Sequence, residues 1–172
     1  MPQPLFVCHA NACRSVLAQY LYEDLCPGTY ALSAGVESWD AINDNALQML
    51  RHWGIDASNH EPRQISRSLC DQADAIFTMG PEYSVLLFKR FGWPLAKKSY
   101  LFADPFTLPS RFPYGEYRVR DPSFDHIPLP DLIKEFSWFR ERVVQIHEAL
   151  TGDEKKFIPA TEYLDLLPLV DQ

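Results

Sequence analysis

The segment Cys8-His9-Ala10-Asn11-Ala12-Cys13-Arg14-Ser15 sets a thiol and a guanidinium at the two ends of a short polar run, with a hydroxyl directly after it. Consecutive backbone N–H groups that curl from a strand end into a helix N-terminus form a concave anion site, and the helix dipole adds to it. Arg14 can return over such a loop and grip two phosphate oxygens with its planar fork, which lysine does less well. The same positive surroundings favour the thiolate of Cys8, an in-line nucleophile beneath a bound phosphoryl group. Ser15 can donate to the Cys8 sulfur when that sulfur leaves. Asn11 tolerates the left-handed backbone a loop of this kind needs, and its side chain can pin neighbouring turns. A single cysteine at a strand end is usually a small buried hydrophobe. Yet a cysteine is followed by Arg-Ser at this spacing by chance only about three or four times in a thousand. The functional reading is the stronger one.

Cleaving a phosphate ester also requires a proton for the departing oxygen, and hence a positioned carboxylic acid. Two Asp-Pro pairs, Asp104-Pro105 and Asp121-Pro122, stand in one long connecting segment. Proline pushes the residue before it into an extended conformation, which helps to aim an acid. Asp104 suits a turn, the commonest role of Asp before Pro. Asp121, preceded by the extended stretch Tyr117-Arg118-Val119-Arg120, is the better placed of the two.

The elements that must carry these residues are legible in the hydrophobic pattern. Pro4–Cys8 is an apolar strand, and residues 15–25 follow as a helix with Val16, Leu17, Tyr20, Leu21 and Leu25 on one face. Tyr30–Ala34 is a second strand ending at Gly35. Asn43–Trp53 is a helix directing Ala46, Leu47, Leu50 and Trp53 inward and stopping at Gly54. Asp74–Met79 is a third strand, and Pro81–Phe91 a helix with proline in its first turn. A weak fourth strand lies near Ser99–Phe102. Asp104–Pro130, with six prolines, is predicted as a long ordered loop. Asp131–Leu150 is predicted as one helix, with Leu132, Phe136, Phe139, Val143, Ile146 and Leu150 in a single stripe. Alternating strands and helices imply an α/β fold with a parallel sheet covered on both faces, and ligands bind beyond the carboxyl ends of its strands. The Cys8 loop falls there. The expected organisation is one domain over 1–150 and a tail over 151–172 with an apolar end from Tyr163 to Val170.

The 172 residues, 47% hydrophobic and 23% charged, are enough for a single core. A net charge of −7 argues against nucleic-acid binding, so an anionic ligand needs a local positive site. Met1-Pro2-Gln3-Pro4 has no basic character, and Leu5-Phe6-Val7 is too short for a signal or a membrane span. The expectation is therefore a cytoplasmic protein with no membrane partner and reduced cysteines. Cys8-x4-Cys13 has no second ligand pair downstream, so no structural metal is expected. The loop also lacks the Gly-Lys-Ser/Thr ending of a nucleotide-binding loop.

The chain resembles the low-molecular-weight protein tyrosine phosphatases, whose signature Cys-x-Gly-Asn-x-Cys-Arg-Ser-Pro appears here as Cys8-His9-Ala10-Asn11-Ala12-Cys13-Arg14-Ser15-Val16. The likeness runs from Leu5 to about Leu150. It includes Ser33-Ala34-Gly35, Gly54-Ile55-Asp56 with His60-x-x-Arg63-Gln64, and Asp121-Pro122. It implies a three-layer sandwich, with a four-stranded parallel sheet of order 2-1-3-4 flanked by helices. It also implies a phosphatase with Cys8, Arg14 and Asp121 as catalytic residues and no metal or cofactor. Asn11, Ser15, Ser33 and His60 would form the hydrogen-bond network that holds the loop. Trp39 and Phe124, the latter from Ser123-Phe124 in place of the family's aromatic pair, would wall the substrate pocket, with His9 and Ala12 at its rim. The implied partner is a phosphorylated protein, most simply a phosphotyrosine one, with inorganic phosphate as product; a smaller pocket would suit phosphoarginine or a small phosphate ester.

Three departures stand out: Ala10 for Gly, Val16 for Pro, and Gly80 where the family often has Asp. A Cβ at position 10 is expected to strain the loop if that position needs positive φ or a close backbone approach to phosphate. If the strain prevents turnover, the alternative is a non-catalytic phosphate-binding module. Arsenate reductases share the fold and loop but relay electrons through further cysteines near the third helix, and residues 80–91 contain none. Cys13 is close enough in sequence to Cys8 for a reversible disulfide.

Overall fold

A computed structural model describes residues 1–107, 117–123, 126–152 and 157–163. Four strands, β1 (Pro4–Cys8), β2 (Leu32–Gly35), β3 (Ala75–Thr78) and β4 (Ser99–Leu101), form one parallel sheet in the order β2-β1-β3-β4. The register pairs Cys8 with Gly35 and Val7 with Thr78, which brings the carboxyl ends of three strands to one edge. Every residue of β1 and β3 is buried, as befits central parallel strands covered on both faces.

The helices are α1 (Arg14–Leu25), α2 (Asp44–His52), α3 (Arg67–Gln72), α4 (Pro81–Phe91), α5 (Trp93–Ala96), α6 (Leu129–Phe136) and α7 (Trp138–Thr151). Asn43 caps α2 by accepting from the Asn45 N–H at 3.0 Å. In the core Phe6 packs on Phe77 and Phe102, with ring centroids 5.8 Å apart in both pairs. Each such ring contributes on the order of 2 kcal/mol by leaving water.

Several expectations change in detail. The helix predicted over Asp131–Leu150 begins at Leu129 and is divided at Ser137 into α6 and α7. Ser137 keeps helical dihedrals (φ −59°, ψ −27°), so the apolar stripe runs on through the break. The Arg140 N–H bonds back to the Ser137 carbonyl at 3.2 Å, a tightened turn, as Trp138 and Phe139 both pack on Phe102. On α1 the fully buried tyrosine is Tyr22, whose ring meets Phe6 at 6.0 Å, while Tyr20 is half-buried beside His60. The helix is covered on two sides, by the sheet and by α7, so a single stripe understates its buried surface. Short α3, capped by Ser66, and four-residue α5 escape a reading based on periodicity, because neither spans enough turns to show one.

From the predicted tail, Phe157 packs on Phe77 and Tyr100 at 5.2 and 4.9 Å. Tyr163 is buried, its hydroxyl 3.2 Å from Ser84 Oγ, which in turn lies 2.8 Å from Thr78 Oγ1. The apolar end from Leu164 to Val170 lies outside the described residues. Among the described residues no helix is long and apolar enough to cross a membrane.

Candidate active site

β1 delivers Cys8 and α1 begins at Arg14, so the predicted loop is the strand-to-helix turn. Its carbonyls are taken from outside: Cys8 by the Val36 N–H (3.1 Å), His9 by Glu37 (2.9 Å), Ala10 by Trp39 (3.1 Å) and Ala12 by Asn43 (2.9 Å). The Asn11 carbonyl accepts from His60 Nε2 at 3.2 Å. In a trans peptide the C=O and N–H point in opposite directions. Carbonyls turned outward along 8–12 therefore leave the following N–H groups turned inward, a concavity at the start of α1 of the shape that suits an anion.

Asn11 holds this shape. It is the only described non-glycine residue with positive φ (52°), and it is fully buried. Its Nδ2 donates to Ser15 Oγ at 3.0 Å and Ser33 Oγ at 2.8 Å, and its Oδ1 accepts from the Arg63 N–H at 2.9 Å. Ser33 Oγ in turn donates to Gln19 Oε1 at 2.5 Å. Because Ser15 Oγ accepts from Asn11, its own proton is available to Cys8 Sγ at 3.0 Å. The left-handed residue is thus Asn11, and Ala10 carries no such burden. The close approach instead falls on Gly35. A Cβ there would collide with the Glu37 carbonyl and come within 2.7 Å of the Ala10 and Asn11 backbone.

Arg14 is nearly sealed, with 3% of its side chain exposed. Nη1 donates to the Val119 carbonyl at 3.0 Å, while Nη2 donates to the Tyr83 hydroxyl at 3.1 Å and to Asp121 Oδ2 at 2.8 Å. Nε is buried without a partner. Burial works against the guanidinium charge, but Cys8, Tyr83 and Asp121 outweigh it and raise the value above that of a free arginine. Cys13, buried under the loop, has its thiol pushed strongly upward, first by burial and then by Asp121 and Cys8. His60 is pushed below its ordinary value, mainly by burial and also by Arg63, against the favourable bond to Asn11.

Asp121 reaches the loop on an irregular segment, 117–123, anchored by the Val119 N–H on the Met79 carbonyl at 2.8 Å. Asn43 Nδ2 donates to the Ser123 carbonyl at 3.2 Å and Asn45 Nδ2 to that of Pro122 at 2.8 Å. Asp104, by contrast, accepts from the Phe106 and Thr107 N–H groups at 3.0 and 3.2 Å, a local turn. Trp39 is half-buried beside the loop through its bond to Ala10, and His9 faces Glu37 at 3.6 Å across the surface. Phe124 lies outside the described residues. Among the described residues no cluster of His, Cys, Asp and Glu could hold a metal ion.

Sequence reasoning passed over Tyr83, Asn43 and Asn45. Asn43 had a visible signal as a helix cap. The reach of Asn45 and Tyr83 to partners far along the chain had none.

The low molecular weight phosphotyrosine protein phosphatase model matches residues 4–98, from β1 to the last residue before β4. A probable low molecular weight protein-tyrosine-phosphatase, EpsP, of Ralstonia nicotianae is 38% identical over 77 residues, 44% of this chain and 53% of its own length. An arsenate reductase of Staphylococcus aureus is 33% identical over 75 residues, 43% of this chain and 56% of its own. The chain thus matches about half the length of these curated relatives. In fold it is similar to the YwlE arginine phosphatase of Geobacillus stearothermophilus, with a TM-score of 0.72 at 23% identity over 98% of this chain and 99% of that one. The sheet order, the turn from Cys8 into α1 and the family match agree: the chain belongs to the low molecular weight phosphotyrosine protein phosphatase family.

Proposed function

We propose that this protein hydrolyses phosphate monoesters, most simply protein phosphotyrosine, through a cysteinyl-phosphate intermediate. The observation that carries this reading is the convergence on Arg14: the Cys8 loop at one side and Asp121 Oδ2 at 2.8 Å on the other. A phosphoryl group in the concavity would take the unpartnered Nε–H and the Nη2–H that Asp121 now occupies, releasing Asp121 toward the leaving oxygen.

In the first step the Cys8 sulfur forms the S–P bond, the P–O ester bond breaks, and Asp121 gives its proton to the departing oxygen. Arg14 and the inward amides stabilise the charge on the equatorial oxygens. In the second step Asp121 takes a proton from water, the water oxygen bonds phosphorus, and the S–P bond breaks toward Ser15, giving inorganic phosphate. The charge compensation comes from the chain's own groups, so the reaction is proposed to need no metal; four free cysteines fit a protein acting in the reducing cytoplasm. Positive φ at Asn11 and not at Ala10 favours turnover over a spoiled binding module, since the backbone dihedrals of Ala10 do not call for glycine.

The test is hydrolysis of p-nitrophenyl phosphate at mildly acidic pH with EDTA, comparing wild type with Cys8→Ser. The expected result is turnover that survives EDTA and disappears in the variant. Absence of turnover with phosphate or vanadate still bound would make the chain a binding module. Turnover that persists in Cys8→Ser would overturn the nucleophile.

A further inference from the structure

Arg14 has more donors than an anion can use. A guanidinium carries five N–H groups and a phosphate gripped by its fork takes two. The others need protein acceptors, because the side chain is only 3% exposed. Val119 supplies a backbone carbonyl held in register by its own bond to Met79. Asp121 supplies a carboxylate that must let go in order to serve the leaving group. The remaining side-chain acceptor is Tyr83, in the first turn of α4.

Tyr83 is 5% exposed, and it meets Arg14 twice: its hydroxyl lies 3.1 Å from Nη2, and its ring centroid 5.6 Å from the guanidinium carbon. Cation and ring face attract, and a buried hydrogen bond to a charged donor is among the stronger ones. Burial keeps the phenol protonated in spite of the neighbouring arginine, so the pair remains a cation with a neutral acceptor and does not compete with an incoming anion for charge. The next residue but one toward the N-terminus is Pro81, which fixes the start of α4, and Glu82 ties the same turn to Arg118 at 2.6 Å. Tyr83 therefore sits on a rigid base.

We propose that Tyr83 is a positioning residue for the phosphatase reaction, which this inference takes as its premise. It holds the Arg14 guanidinium while Asp121 departs, so that the Nε–H and the released Nη2–H are presented together to the phosphoryl oxygens.

Tyr83→Phe keeps the ring and removes the acceptor. The expected result is a loss of about tenfold in kcat/KM for p-nitrophenyl phosphate, with KM raised because the fork is already misaligned in the bound state. In an Arg14→Lys background, which has no fork to orient, the same change is expected to cost less than about twofold. On a Cys8→Ser background the affinity for inorganic phosphate, read by calorimetry, should fall by a similar tenfold. Equal losses with the native arginine and in the Arg14→Lys background, or none in either, would overturn the proposal. The phosphate arm needs no turnover, so it decides on Tyr83 even where the wild type fails to hydrolyse ester, a result that would sink the phosphatase reading by itself.

Discussion

The loop over residues 8–15 hangs from strand ends by main-chain bonds, whereas the acid-bearing segment 117–123 is tied mainly by side chains reaching from other elements. On the loop side, four carbonyls are taken by the backbone of residues 36–43, and the left-handed Asn11 is buried in a closed set of partners. On the acid side, one backbone bond from Val119 is joined by Arg14, Asn43, Asn45 and the Arg118–Glu82 and Arg120–Glu135 pairs. The Cys8 loop is thus part of the fold, and its disturbance is a disturbance of stability. Asp121 is placed by a few polar side chains: the Arg118–Glu82 and Arg120–Glu135 pairs are partly exposed and worth little to stability, and only Arg14 is nearly sealed. The disturbance of Asp121 is one of chemistry.

Substitution at the two sides should separate these consequences. Asp121→Asn is expected to lower kcat by about a hundred- to ten-thousand-fold, least for aryl phosphates with good leaving groups. Asn keeps an amide oxygen for the Arg14 Nη2–H, so only the charge of the pair is lost, and the urea-unfolding free energy should stay within about 2 kcal/mol of wild type. Steady-state kinetics on phenyl and p-nitrophenyl phosphate, beside urea titrations, make the comparison. A large stability loss would erase the contrast drawn between the two sides.

Asn11→Ala acts on the other side. It leaves Ser15, Ser33 and the Arg63 N–H short of a partner and puts a Cβ with no compensating bond at φ 52°. A loss of roughly 3 kcal/mol in stability is expected, together with reduced activity. Urea unfolding monitored by tryptophan fluorescence would read it. An Asn11→Ala protein as stable as wild type but inactive would place the loop network with the chemistry and break the distinction.

The smallest effect is a pH dependence at His60. Its folded value lies below the ordinary 6.5, so the fold prefers the neutral ring. The unfolded chain then binds the proton more readily, and the stability held above pH 6.5 is lost as pH falls through that value and on through the folded one. With the ring only half-buried, solvent screening limits the effect to a Tm change of about 1–2 °C between pH 7.5 and 5. His60→Gln should flatten that part of the profile in calorimetric scans. An unchanged slope would mean that other groups carry it.

Much of this was legible along the chain. Short apolar runs and a 3.6-residue period need only neighbours in sequence, so β1, the helix at its end and Pro81–Phe91 were readable, as was the turn that Cys8, Asn11, Arg14 and Ser15 occupy. Asn11 was readable as a candidate because tolerance of left-handed backbone is a property of residue type. The reading of Ala10 as a source of strain was not decidable there. Whether a position has positive φ, or meets another strand's backbone as Gly35 does, depends on which segment folds against it. Tyr83, Asn43 and Asn45 belong to the same category, and so does the docking of Tyr163 on Ser84. Their bonds join residues far apart in the chain, and a side chain's long-range partner leaves no periodicity behind. Local physics determined that a tight polar turn from strand into helix begins at Cys8. Only the packing of strands and helices decided which side chains hold Arg14 and Asp121.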